Sequence, residues 1–181
     1  AAVKGAPIVA TGVLLQTSPM SAMGFVEKNI KKPEDIKGKT VAITPADSMT
    51  QIWPLFLKKT GLKESDFQTV AGDGQTKLNA VINGQADLLL GYVMDQSMKI
   101  KDATGKDVNA IKFADYGINM VCSGVVANTE FVKANADLVK RFMSATTKAV
   151  EAAEKDARGA AQAILDANPK GGKIETLTKG F

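Results

Sequence analysis

Between Lys39 and Gly91 the chain alternates strand, helix, strand, helix, strand, and this rhythm constrains its fold more than any other feature. Thr40 to Ile43 reads as a short buried strand, and "TPADS" then turns into a helix predicted over Ser48 to Thr60. Ser48 and Gln51 carry the spacing of a capping box. Gly61 follows Lys58 and Lys59 where a C-terminal glycine stops a helix. Pro54 conflicts with this, because its ring removes an internal hydrogen bond, so a kink or a later start is expected. Gln68 to Ala71 is a second strand and Gln75 to Asn83 a second helix, with Leu78, Val81 and Ile82 on one face and Gly84 at its end. "ADLLLG", Ala86 to Gly91, is unbroken and apolar, as in a parallel strand covered on both faces. Such alternation predicts an α/β arrangement with right-handed crossovers.

The flanks are less regular. Ile8 to Leu15 is apolar and β-prone, and "QTSPMSAMGF" after it is polar and small, broken by Pro19 and Gly24. Pro33 to Ile36 suggests one helical turn before Gly38. "GYVMDQSMKI" fits a short helix, "GKDVNAIKF" a turn and a strand, and Asn119 to Ala127 a long apolar strand that would bury Cys122. From there the character is helical. Asn128 can cap a short helix, Asp137 to Lys155 keeps the 3.6-residue period through Leu138, Phe142, Ala145, Ala149 and Ala152, and Ala157 to Ala167 ends at Asn168-Pro169.

Composition removes several kinds of chemistry. The chain of 181 residues has a net charge of +4 with basic and acidic residues interspersed, and only 6% of its residues are aromatic. No basic block or stacking platform marks a nucleic-acid partner. There is no histidine, so the commonest general base and zinc ligand are missing. The single cysteine, Cys122, permits neither an intrachain disulfide nor a paired-cysteine metal site. No metal or cofactor is expected. No apolar run reaches the roughly 18 residues that a membrane span requires. Because the first segment already reads as a strand in mid-fold, the chain is expected to be a fragment.

Three stretches, "IKKPEDIKGKTVAITPADS", "LNAVINGQADLLLGYVMDQ" and "FADYGINMVCSGVVANTEFVKANADLVKRFMSATTKAVEAA", resemble in this order the solute-binding proteins of ABC importers. The subgroup is the thiamine-pyrimidine-precursor binding family, whose relatives bind nitrate, sulfonates and taurine. The resemblance implies the type II periplasmic-binding fold, with two α/β lobes facing each other across a ligand cleft. It puts residues 1–38 in lobe I, 39–119 in lobe II and 120–181 back in lobe I, with the first lobe incomplete. It also implies a small-molecule ligand, a membrane permease as partner, a periplasmic or extracytoplasmic location and capture without turnover. The full-length protein would be a monomer, and a fragment would expose Ile8 to Leu15 and Val121 to Ala127 and could dimerise over them.

In open α/β sheets ligands lie beyond the carboxyl ends of the strands, where helix N-termini offer unpaired N–H groups. Asp47, Ser48, Met49 and Thr50 would form one such edge, with Ser48 either capping its helix or facing the ligand. Gln16, Thr17 and Ser18 would face the cleft from lobe I, or else make ordinary turn contacts. Asp73, in "AGDGQT", repeats the strand-end and helix-start construction, but two glycines without a GKS or GKT sequence make no nucleotide loop. Tyr92 could stack on a planar ligand with Asp95 pairing to an amine, or pack between the lobes. Tyr116 is similar, with Gly117 as a hinge. Met20, Met23, Met49 and Met94 could line an apolar wall. Asp47 argues for a ligand with donors, such as an aminopyrimidine. Arg141 and Arg158, the only arginines, lie on helices outside the expected cleft and give no bidentate clamp for an acid. The alternatives are a synthase of the same fold that makes the pyrimidine, which would use histidine and a cysteine-rich motif, and a ligand-sensing domain fused to a receptor.

Overall fold

A computed structural model describes residues 5–181. In chain order the elements are β1 (Ile8–Val13), β2 (Met20–Phe25), β3 (Thr40–Ile43), α1 (Ser48–Thr60), β4 (Gln68–Ala71), α2 (Gly74–Ile82), β5 (Leu88–Tyr92) and α3 (Val93–Thr104). They continue with β6 (Val108–Lys112), β7 (Gly124–Asn128), α4 (Thr129–Ala134), α5 (Ala136–Lys155), α6 (Ala157–Ala167) and α7 (Ile174–Lys179). Two compact units result. One is Thr17–Met120, and the other joins the segment that ends at Gln16 to Val121–Phe181.

The Thr17–Met120 unit is built on a five-stranded sheet in the order β4-β3-β5-β2-β6. β3 is parallel to β4 and β5, as the alternation predicts, while β2 runs antiparallel to β5 and β6. Two apolar layers cover it. Trp53, Phe56 and Leu57 of α1 pack with Val41, Leu88, Leu90 and Phe113 on one face. Leu78, Ala80 and Val81 of α2 and Ile100 of α3 pack with Met23, Ala42 and Leu89 on the other. Trp53 stacks on Phe56 at 5.1 Å and on Phe113 at 5.8 Å, with the Phe67 ring edge-on at 5.6 Å.

β2 departs most from the sequence reading. Every residue from Met20 to Phe25 is buried, and the strand runs between β5 and β6. Its small residues are what that place requires. A side chain at Gly24 would put its Cβ 2.5 Å from the Asp87 carbonyl oxygen. The segment 17–38, expected in lobe I, therefore belongs with the residues expected in lobe II, because β2 pairs with both β5 and β6.

α1 starts where predicted, but its cap is Asp47 and not Ser48: the Asp47 carboxylate accepts the Thr50 N–H at 2.7 Å. Pro54 lies inside the helix, which runs through to Thr60 and closes on Gly61 at φ 74°. Gly74 opens α2, with Asp73 as its cap.

In the other unit β1 and β7 form an antiparallel two-stranded ribbon, with α4, α5, α6 and α7 following. The long strand expected over Asn119 to Ala127 is shortened to β7. Cys122 consequently lies ahead of the strand, only half-buried, its N–H donating to the Leu15 carbonyl at 3.0 Å. Among the described residues, the buried apolar side chains of this unit are Ala153 and Ala161, while Val13, Leu14, Val121, Val126, Leu138 and Phe142 are exposed.

Candidate functional site

Three helices begin just beyond the carboxyl ends of three neighbouring strands in the Thr17–Met120 unit. β3 ends at Ile43 and α1 opens at Ser48; β4 ends at Ala71 and α2 opens at Gly74; β5 ends at Tyr92 and α3 opens at Val93. Each helix start carries positive partial charge and unpaired N–H groups. The start of β2 joins them: Met20 faces Tyr92 across the sheet, and the Val93 N–H donates to the Pro19 carbonyl at 3.0 Å.

Polar side chains tie this edge together. The Ser48 and Tyr92 hydroxyls lie 3.4 Å apart, linking the β3–α1 loop to the end of β5. The Thr50 hydroxyl donates to the Thr44 carbonyl at 2.6 Å, and the Gln51 amide donates to the Ala46 carbonyl at 3.2 Å. Ala46 adopts φ 62°, a left-handed conformation that costs a residue with a Cβ roughly 1–2 kcal/mol. Asp95, in the first turn of α3, accepts from the Gln96 amide at 2.7 Å and pairs with Lys99 at 2.8 Å. Thr44 Oγ1 and Gln96 Oε1 are buried without hydrogen-bond partners.

Lys77 was not singled out by sequence reasoning, yet it sits at the centre of this edge. It closes the first turn of α2, and its side chain is 6% exposed. Nζ lies 3.8 Å from Asp47 Oδ2, an ion-pair distance too long for a hydrogen bond. Burial pulls its pKa below the usual lysine range, against the attraction of Asp47 and Asp95. The signal available in the sequence is its spacing: Lys77 stands four residues before Val81, on the apolar stripe of α2.

The predicted residues divide into groups. Asp47, Ser48, Thr50, Tyr92 and Asp95 all lie at this edge, where Ser48 meets Tyr92 and Lys77 is acted on by both Asp47 and Asp95. Asp73 is there as well, but its carboxylate is engaged as the α2 cap by the Thr76 N–H at 2.7 Å, and this N–H is the chief cause of its lowered pKa. Ser18 is buried beside the start of β2, where its N–H donates to Asn119 Oδ1 at 3.2 Å. Thr17 is exposed next to it, and Gln16 is exposed at the end of the other unit. Met49 is 4% exposed within the α1 core layer, as Met20 also is at 3%, so neither presents a wall to a ligand. Met23 lies in the opposite core layer, and Met94 is exposed in α3.

Tyr116 falls elsewhere. Its ring meets Phe56 edge-on at 5.7 Å, and Gly117 lies near the Lys59 ammonium, in the last turn of α1. At 1.5 Å per residue, that turn is roughly 16 Å from Ser48. Burial and the nearby Glu34 and Asp115 raise the Tyr116 pKa. Two surface hollows are also present, one running along α3 from its first residue and one at the far end of the sheet. One of about 320 Å³ is lined by Val93, Ser97, Lys101 and Val108, and one of about 400 Å³ lies at the opposite strand ends beside Phe25 and Gly84.

Comparison with known proteins places this arrangement among relatives. The family model described as "NMT1/THI5 like" matches residues 1–160. The riboflavin-binding protein RibY of Chloroflexus aurantiacus is 24% identical over 147 residues, which is 80% of this chain and 41% of that protein. Among solved structures, the periplasmic aliphatic sulphonate binding protein SsuA of Escherichia coli superposes with a TM-score of 0.80 at 17% identity, over 99% of this chain and 60% of that one. The alkanesulfonate-binding SsuA of Xanthomonas axonopodis pv. citri, bound to MOPS, superposes at 0.66 with 16% identity, over 98% of this chain and 60% of that one. The chain thus spans between about two-fifths and three-fifths of the length of these proteins, and the structural matches show the type II periplasmic-binding fold.

Proposed function

This chain belongs to the NMT1/THI5-like family, and from that membership we propose that it is part of the solute-binding component of an ABC importer, capturing a small polar or heteroaromatic metabolite without altering it. The observation that carries this reading is the convergence of Asp47, Ser48, Tyr92 and Asp95 at the strand edge where α1, α2 and α3 begin. Hydroxyls, carboxylates and an aromatic ring suit recognition by hydrogen bonding and stacking. They do not supply the histidine base that most general acid–base chemistry uses.

The edge favours a ligand that brings donors. Asp47 and Asp73 already take N–H groups of α1 and α2, which reduces what those helix starts offer a bare anion. Both arginines lie in the helices of the other unit. A neutral or cationic heteroaromatic of the thiamine-pyrimidine-precursor kind fits these groups better than a sulfonate. The partner in this reading is a membrane permease, and the location is extracytoplasmic.

The test is thermal unfolding of the chain with 4-amino-5-hydroxymethyl-2-methylpyrimidine, riboflavin and ethanesulfonate, followed by native mass spectrometry. The expected result is a rise in Tm with the aminopyrimidine, weakened in Ser48→Ala and Tyr92→Phe, with the compound recovered unchanged. No rise with any of the three, or conversion of the compound, overturns the proposal.

A further inference from the structure

Lys77 is the one charged side chain buried among the described residues, and it is placed against ordinary electrostatics. Cations are disfavoured near helix N-termini. Lys77 closes the first turn of α2, with the starts of α1 and α3 represented by Asp47 and Asp95. An ion pair removed from water offsets its desolvation only with good geometry, and Nζ stands 3.8 Å from Asp47 Oδ2. Helix propensity and packing would be served as well by methionine. What an ammonium adds is a charge held directly behind Asp47, whose side chain is 27% exposed.

Asp47 comes from the β3–α1 loop, Asp95 with its partner Lys99 from α3, and Asp73 stands four residues earlier on α2 itself. Asp47 Oδ1 is committed to the Thr50 N–H, which leaves Oδ2 as the oxygen that a ligand donor could share. That oxygen is the one nearest Lys77.

We propose that Lys77 is a positioning residue that sets the ligand preference of this edge: its ammonium holds Asp47 Oδ2, so a cationic ligand group must displace a charge already there, whereas a neutral donor can share the oxygen. The preference rests on the capture reading above. Removing the ammonium unmasks Asp47 and favours cations. Replacing it by guanidinium keeps the discrimination.

The experiment uses the full chain and its Lys77→Met, Lys77→Arg and Asp47→Asn variants. Lysine ammonium groups are followed by side-chain NMR from pH 6 to 11. Binding is measured by calorimetry with thiamine as the cationic probe and riboflavin as the neutral one. Lys77 is expected to lose its proton at lower pH than the surface lysines, and at lower pH still in Asp47→Asn. Lys77→Met is expected to improve thiamine binding relative to riboflavin by about tenfold, the scale of relieving a like-charge contact, with Lys77→Arg matching the parent. A Lys77 that titrates with the surface lysines, or is unmoved by Asp47→Asn, overturns the positioning role and leaves capture intact. Equal effects of Lys77→Met on both probes also overturn it. Binding of neither probe by any variant overturns the preference along with capture of such heterocycles. If Lys77→Met does not fold, the Asp47→Asn titration and the Lys77→Arg binding ratio decide.

Discussion

Asp87 joins three strands from a single position. Its carboxylate accepts the Thr40 N–H at 3.0 Å and the Lys28 ammonium at 2.9 Å, while its carbonyl oxygen stands where a Cβ on Gly24 would be. Burial pushes its pKa up, but the Thr40 N–H and Lys28 outweigh that and leave it below 3.8. A depressed carboxylate contributes stability that is complete above the unfolded value and is lost as pH falls through the native one. Asp87→Asn is therefore expected to cost about 1–3 kcal/mol in urea unfolding at pH 7, with the difference from the parent shrinking once pH falls below 3.8. Gly24→Ala is expected to cost about 1–3 kcal/mol at any pH, because the new methyl meets backbone that cannot yield. Lys77 runs the other way. Its native pKa is lowered, so the unfolded chain holds the proton more tightly and the cost of its burial eases as pH rises towards 10.5.

At the scale of elements, what could be read from the sequence was what has a period. β3, α1, β4, α2 and β5 carry the apolar repeats and stop residues that local physics requires, and they lie within a residue or two of the reading. β2 could not be read this way. Gly24 has no side chain because the Asp87 carbonyl, just ahead of β5, stands where its Cβ would be, and that partner is distant in the chain. The α1 cap was displaced by one residue because the Asp47 carboxylate competes better for the Thr50 N–H than a neutral hydroxyl does. The candidate site was half legible for the same reason. Strand ends followed by polar turns pointed to Asp47, Ser48 and Tyr92, whereas Lys77 and the packing of Tyr116 against Phe56 depend on tertiary contacts. Pro54 remains a local defect in α1, exposed and without an N–H. Pro54→Ala should restore one bond of the helix and stabilise the chain by about 1 kcal/mol or more, read as a higher Tm by circular dichroism. An unchanged or lower Tm would mean that the neighbouring turns have adapted to the proline.

Across the whole molecule, apolar burial is uneven. The Thr17–Met120 unit holds both buried apolar layers, whereas the helices and ribbon of the other unit leave Val126, Leu138 and Phe142 largely in solvent. A two-stranded ribbon is marginal by itself, and an exposed apolar face of this kind favours association. Sedimentation velocity of the isolated chain is expected to show concentration-dependent self-association that Phe142→Glu weakens; a monomer at every concentration would contradict this. Phe142→Glu should meanwhile change stability by no more than about 0.5 kcal/mol, because the ring it removes is 55% exposed.

The chain has one tryptophan, and it lies in the α1 core layer against Phe56, Phe113 and Phe67. Its fluorescence therefore reports on the core of the five-stranded unit. The ribbon and its helices carry no tryptophan, so the emission has no probe within them. A fluorescence melt of this protein is a local measurement, and a simple curve would describe only the part of the chain from Thr17 to Met120.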